Sequence, residues 1–353
     1  MDSHKEHFSA LEYLLFAAVT VAIFCLCVCT GSVRIALGDT VSIIGKAICG
    51  LVQSLFSNTP LELPGGTKTS IILTVRIPRV LSAAMTGASL SLAGAAMQGL
   101  LKNPLADGST LGVSSGAALG AVIAIAFGIT FPALPFAGTM VMAILFAFLS
   151  LMILLGLTYK LDYSLTTNTI ILIGVIFSMF VSSLMSLVIT FAADRVQHIT
   201  FWTMGSLQGR GYADVLVLLG ALLFFGSAIF LHAGELNAFA VGENNARHIG
   251  VNVRKVKLIL LIAVSGLIGI CVSIGGTIGF VGLVTPHMLR MLVGPNHRRL
   301  LPASLFGGAA FLMLADLAAR TLLSPRELNI GIVTSLVGAV VFVCIFYRTR
   351  RGK

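Results

Sequence analysis

Charged side chains are scarce in this 353-residue chain: they make up 10% of it, against 57% for apolar residues. That balance excludes an ordinary soluble domain, in which roughly a quarter of residues are charged. Regular apolar–polar alternation is missing as well. The apolar runs are long and continuous, which excludes a membrane β-barrel. The six cysteines form no framework. Cys25, Cys27 and Cys29 alternate within one apolar run, so a helix fans them around its axis, and they read as buried thiols rather than a shared metal site. No phosphate-binding loop is present. Gly45-Lys46-Ala47 has the wrong upstream spacing and lacks the Ser or Thr that would hold Mg²⁺. If ATP drives this protein, another chain hydrolyses it. There is no H-E-x-x-H and no G-x-S-x-G, so neither signature of hydrolytic chemistry occurs. The first dozen residues mix Asp2, Lys5, Glu6 and Glu12 with no small-x-small cleavage site after the apolar run. The reading is a retained first span, not a removed signal.

What is there is enough apolar chain to cross a bilayer many times, at roughly 20 residues per helical crossing. About ten spans are expected, near 11–31, 77–101, 112–129, 138–159, 169–191, 213–232, 257–276, 279–293, 301–320 and 330–347. A long polar stretch follows the first span and holds Pro60 and Pro64, with a short helix expected near 40–55. The fold class is therefore all-α and polytopic, with residues 1–353 forming one transmembrane domain. The formal charge of +10 is read as basic loops held against anionic lipid, not as a nucleic-acid footprint. The dense clusters at 254–257, 296–299 and 348–353 all fall on the inner side when the N-terminus is placed inside. Ala83, Gly87, Ser91, Ala95 and Gly99 recur every four residues, and Ser265, Gly269, Ser273 and Thr277 repeat the stripe 182 residues later. Small residues at that spacing let helices approach closely in lipid. An inverted internal repeat is expected, with half-repeats at about 71–191 and 257–347. The same shift pairs Pro104 with Pro286 and Gly112 with Gly294.

Four places concentrate polar chemistry. Arg76 and Arg79 lie three apart at the outer rim and suit either interfacial snorkelling or docking of an acidic partner. Asp316 and Arg320, four apart, suit an intrahelical ion pair, or Arg320 joins the outer face. Thr285-Pro286-His287 reads as a helix distortion with a satisfied histidine, since one histidine does not make a metal site. The segment GENNARHIGVNVRKVK (242–257) is the most polar stretch between apolar neighbours. Residues 243–249 suit a short helix capped by Gly250. It is either a solvated loop or a stiff inner element able to transmit force from a soluble motor.

RIPR (76–79), NPLADGSTLGVSSGAALG (103–120), GENNARHIGV (242–251), GTIGFVGLVTPHMLRMLVGPNHRRLLP (276–302), LADLAAR (314–320) and ELNIGIVTSLVGA (327–339) together resemble the FecCD family. These are permease subunits of type II ABC importers for iron–siderophores, haem and vitamin B12. The resemblance runs from about 30 to 348. It implies a non-catalytic, ten-span subunit of the bacterial cytoplasmic membrane, working as a homodimer or beside a close relative. It implies ATPase subunits on the inner face, carrying the ATP and Mg²⁺, and an extracytoplasmic substrate-binding protein. No cofactor or metal is implied in this chain. Residues 233–256 become the ATPase-coupling loop, with Gly242, Glu243, Ala246, Arg247 and Gly250 as contacts. Arg76, Arg79 and Arg320 become docking residues for the binding protein. The fifth span is expected to line the path, with Ser178, Ser182, Ser183 and Ser186 as its polar candidates. An iron–siderophore is the expected cargo. Two other classes compete. An ion-coupled transporter would want mid-membrane carboxylates, for which Asp316 is the one strong candidate. An intramembrane enzyme would want facing nucleophile and base, and none are evident.

Overall fold

A computed structural model describes residues 7–31, 33, 35–57, 66–130, 137–163 and 165–351, and the described residues contain no strand. In chain order the helices begin with α1 (Ala10–Cys29), α2 (Leu37–Ser57) and α3 (Thr67–Ser70). A π-helical stretch (Ile71–Arg76) then leads into α4 (Ile77–Leu100). Next come α5 (Val113–Phe127), α6 (Ala137–Leu161), α7 (Thr167–Phe191), α8 (Val196–Thr203), α9 (Tyr212–Leu231), α10 (Ala233–Val241) and α11 (Glu243–His248). The chain closes with α12 (Val253–Gly275), α13 (Val281–Val293), α14 (His297–Thr321) and α15 (Ile330–Arg351). Seven helical segments among the described residues are long and apolar enough to cross a bilayer, and α5, α13 and the apolar part of α15 are shorter. Together they occupy the ten expected positions. Pro60 and Pro64 lie outside the described residues.

Helix starts show why two boundaries differ from the sequence-based expectation. α12 begins at Val253, not near 257, because the Asn252 side chain accepts from the Lys255 amide at 3.1 Å. α14 begins at His297, not near 301, because Asn296 accepts from the Arg298 amide at 3.0 Å. A capping side chain satisfies an otherwise orphaned amide, so each helix extends a turn into its basic flank. α1 starts on a capping box. Ser9 accepts from the Glu12 amide, and Glu12 accepts from the Ser9 amide at 2.8 Å. The same carboxylate takes the buried Arg299 guanidinium at 2.6 Å, which fastens α1 to α14.

The small-residue stripes mark the core. α4 packs on α13, α14 and α9, and α12 packs on α5, α6 and α9. Exchanging α4 with α12, α5 with α13 and α6 with α14 maps one set of neighbours onto the other. A Cβ on Gly87 would lie 2.2 Å from the Gly308 carbonyl oxygen of α14. On the exchanged pair, a Cβ on Gly269 would lie 2.8 Å from Ala147 of α6. The C-terminal end of α4, where Gly99 abuts His297, lies at the face where Asn237 of α10 binds that histidine. The N-terminal end of α12 lies at the same face, where Lys257 meets Glu243 of α11. The two helices therefore run oppositely, as an inverted repeat requires. The residue-by-residue shift fails beyond the stripes. Pro104 sits in the turn after α4 whereas Pro286 lies inside α13, and Gly112 precedes α5 whereas Gly294 follows α13. The α4–α5 connection (101–112) is longer than the α12–α13 connection (276–280), so the register slips there.

Pro286 has no N–H, which leaves the Gly282 carbonyl without its helical donor. Gln98 of α4 donates to Gly282 at 3.4 Å and to Leu283 at 3.0 Å, and accepts from Arg290 Nη1 at 2.9 Å. The expected helix distortion is thus held by α4. His287 corrects the expectation of a satisfied histidine: its buried Nδ1 has no hydrogen-bond partner among the described residues, and its ring lies 6.2 Å from that of Phe342.

The α4–α13 crossing yields a sharp prediction. A Cβ on Gly94 would lie 1.8 Å from the Gly282 carbonyl oxygen, a backbone atom that cannot rotate away. Gly94→Ala should lower the detergent-solubilised unfolding midpoint by an overpacking cost of about 1–3 kcal/mol. Gly156→Ala and Gly220→Ala, with nothing within 4 Å, should leave it unchanged or raise it. Equal midpoints for all three would contradict the close crossing.

Candidate functional site

Three regions carry the residues singled out by the sequence. The first is the polar elbow between α9 and α12. Gly242 (φ +131°) and Gly250 (φ +89°) hold backbone shapes that side-chain-bearing residues rarely adopt, so each ends a helix sharply. Gly250 follows α11 as expected, with the Val251 amide returning to the Ala246 carbonyl at 3.0 Å. The segment preceding Gly242 is itself helical as α10, which the sequence reading did not foresee. The result is a stiff helix pair. Ala246 is fully buried, whereas Arg247 and His248 project into solvent beside Ile249, which is 72% exposed. Glu243 turns inward. It takes Lys257 Nζ at 2.8 Å and Thr167 Oγ1 at 3.1 Å, so its carboxylate braces the elbow rather than forming a free contact. Arg254 lies 4.1 Å from the Tyr163 ring centroid and 4.8 Å from that of Tyr159. The neighbouring Arg254 guanidinium holds the Tyr163 phenol below its ordinary range.

The second region is where the N-terminal end of α4 meets the C-terminal end of α14. Arg76, Arg79 and Arg320 do come together, but their side chains point inward and all three residues are buried. Arg79 Nε reaches Asp316 Oδ1 at 2.9 Å and its Nη1 reaches Glu327 Oε2 at 2.8 Å. Arg320 Nε lies 3.1 Å from Asp316 Oδ2, the expected i,i+4 ion pair, though its angle makes no hydrogen bond. The remaining donors cap the last turn of α1. Arg76 donates to the carbonyls of Val28 at 3.1 Å and Cys29 at 3.3 Å, and also to that of Val33. Arg320 donates to Cys27 at 2.7 Å and Thr30 at 3.2 Å. Guanidinium groups there satisfy orphan carbonyls and complement the negative end of the helix. The acids imagined on a partner are supplied within the chain by Asp316 and Glu327. The sequence hid this because Glu327 is remote from Arg79, and the carbonyls of α1 are remote from Arg76 and Arg320, along the chain.

The third region is α7. Ser182, Ser183 and Ser186 are exposed and Ser178 is half-buried. Ser178, Ser183 and Ser186 each donate to the carbonyl four residues earlier, at 2.8, 3.0 and 3.0 Å. Three of the four hydroxyls are thus occupied by their own helix, and the exposed surface around them is mostly apolar, including Ile176, Met179, Phe180 and Leu187. α7 carries no charged side chain. One face of it packs on α5, and the exposed face has no partner among the described residues.

Known proteins match most of this chain. The profile of the FecCD transport family matches residues 19–348. An uncharacterised ABC transporter permease, YvrB of Bacillus subtilis, is 45% identical over 284 residues, covering 80% of each chain. The hemin transport permease HmuU of Yersinia pestis is 38% identical over 314 residues, covering 88% of this chain and 93% of its own. Other relatives are named for cobalamin, molybdate and iron-chelate import. A transporter solved in an inward-facing conformation, described as of the metal-chelate ABC type, superposes with a TM-score of 0.75 at 32% identity. That match covers 89% of this chain and all of the other. The described residues are all helical or irregular, and the chain belongs to the FecCD transport family as a permease of a type II ABC importer.

Proposed function

We propose that this permease moves an iron–siderophore complex inward, received from an extracytoplasmic binding protein and driven by ATPase subunits gripping α10 and α11. The observation that carries the cargo class is the α7 face. It presents apolar side chains and hydroxyls mostly bonded back to their own helix, with no charged side chain. Such a wall suits a preformed, bulky complex whose metal is already wrapped. A small oxyanion would want fixed positive charge along its path. Haem and cobalamin share this character and are the alternatives. A second permease copy, identical or closely related, covers the exposed face of α7 and completes the path.

At the inner surface Gly242 and Gly250 fix the helix ends, Ala246 packs the elbow onto the bundle, Glu243 braces it, and Arg247 is the side chain offered to the ATPase. At the outer rim Arg76, Arg79 and Arg320 act from within, holding α1, α4 and α14 in the shape on which the binding protein sits. The membrane is the bacterial cytoplasmic membrane, where such a pair of soluble partners can flank the permease. Reconstituted with its ATPase and binding protein, the transporter should accumulate ferric desferrioxamine in an ATP-dependent manner and leave molybdate outside. Uptake of molybdate, or of haemin or cyanocobalamin alone, would overturn the siderophore assignment.

A further inference from the structure

We propose that Lys257 is a mechanical joint: its ammonium, enclosed between Glu243 of α11 and the Leu165 carbonyl of the α6–α7 turn, makes the inner end of α7 move as one body with α11. This inference rests on the reading of α10 and α11 as the ATPase-facing elbow and deepens it.

Lys257 is fully buried. Its Nζ donates to Leu165 O at 2.7 Å and to Glu243 Oε1 at 2.8 Å. A buried ammonium is stable only with such partners, so neither contact is easily exchanged for water. Leu165 is a buried leucine held at φ +53°, a backbone shape that bulky residues seldom take. Its carbonyl lies in this buried turn, and Lys257 meets it there. Asp162 makes the same turn rigid. Its Oδ2 accepts from the Thr166 amide at 3.0 Å, from the Thr166 hydroxyl, and from Thr169 Oγ1 at 3.1 Å, locking the turn to the first turn of α7. Thr167, the first residue of α7, donates directly to Glu243. The stacking of Arg254 on Tyr163 and Tyr159 adds a second attachment, between the start of α12 and the end of α6. A displacement of α11 is thus handed through one carboxylate and one ammonium to the helix proposed to line the path. Each link is a short contact between rigid elements, the physical form that coupling between sites takes.

The test uses the whole transporter, with both permease chains and the ATPase subunits in lipid nanodiscs, and with the native cysteines replaced by alanine. Nitroxide labels go on Asn168→Cys, exposed in the first turn of α7, and Asn244→Cys, exposed on α11. Pulsed electron spectroscopy reads the distance between them with ATP–vanadate and with ADP. The expected result is one narrow within-chain distance, set apart from the distances between the two permease copies and the same in both nucleotide states, for the parent and for Lys257→Arg. Lys257→Met should lose that single distance and show a mean that shifts with nucleotide. Thr167→Val removes one Glu243 contact while leaving the lysine, and should broaden the distribution partially; it serves if Lys257→Met does not assemble. A Lys257→Met or Thr167→Val distribution identical to the parent's, or a parent distance that itself changes with nucleotide, would overturn the joint. Stripping the ATPase should sharpen the spectrum of the Asn244→Cys label. An unchanged spectrum would instead remove the ATPase-facing reading, independently of the distance result.

Discussion

Asp316→Ala should destabilise the protein by about 3–5 kcal/mol, the cost typical of orphaning a buried charge by deleting its partner. Asp316 is 1% exposed and lies between Arg79 and Arg320, themselves buried. Without it Arg79 keeps Glu327 and Arg320 keeps only the carbonyls of Cys27 and Thr30. Two guanidinium groups then face each other across a site from which water is excluded. Asp316→Asn keeps an acceptor for Arg79 and should lose less. Asp316→Leu combined with Arg320→Met should recover part of the loss, because the pair is replaced by apolar volume and neither charge is stranded. The unfolding midpoint in detergent checks the series. A double variant no better than Asp316→Leu alone would show that the two residues act independently.

Arg247→Glu should release the ATPase subunits while leaving the permease folded. Arg247 is exposed in the last turn of α11, where reversing its charge loses only about 0.3–1 kcal/mol of helix-end interaction. Across an interface, by contrast, losing one partner of a hydrogen-bonded charge pair costs roughly 2–5 kcal/mol. Co-purification of the ATPase and its stimulation by the permease should both fall sharply, with the melting behaviour of the permease unchanged. Arg247→Lys should retain most of the attachment. Glu243→Gln should behave differently, because Glu243 braces the elbow from inside: the ATPase stays bound but its work is transmitted poorly. If Arg247→Glu co-purifies normally, the contact surface lies elsewhere.

The ten spans and the elbow were legible because the physics that sets them is local. Apolar run length fixes a membrane helix, and Gly242 and Gly250 punctuate α11 within a few residues. The stripe of Gly87 and Gly269 was legible because close packing in lipid demands small residues at helical spacing. The roles of the arginines were not. Arg76 is satisfied by carbonyls of α1, and Arg79 by Asp316 and Glu327, all far away in sequence. No periodicity announces such contacts. Lys257 was equally hidden. A lysine in the cluster RKVK reads as solvated, yet it is fully buried because α12 starts four residues earlier than its apolar run suggests. Glu243, expected as an ATPase contact, also turns its carboxylate toward it.

The most direct measurement of the central claim is uptake into proteoliposomes holding the permease with and without its ATPase subunits, in the presence of the binding protein. Accumulation should require the ATPase and internal ATP, and should vanish when a proton or sodium gradient is offered in their place. Gradient-driven accumulation by the permease alone would contradict the account, because it would place the coupling chemistry inside this chain.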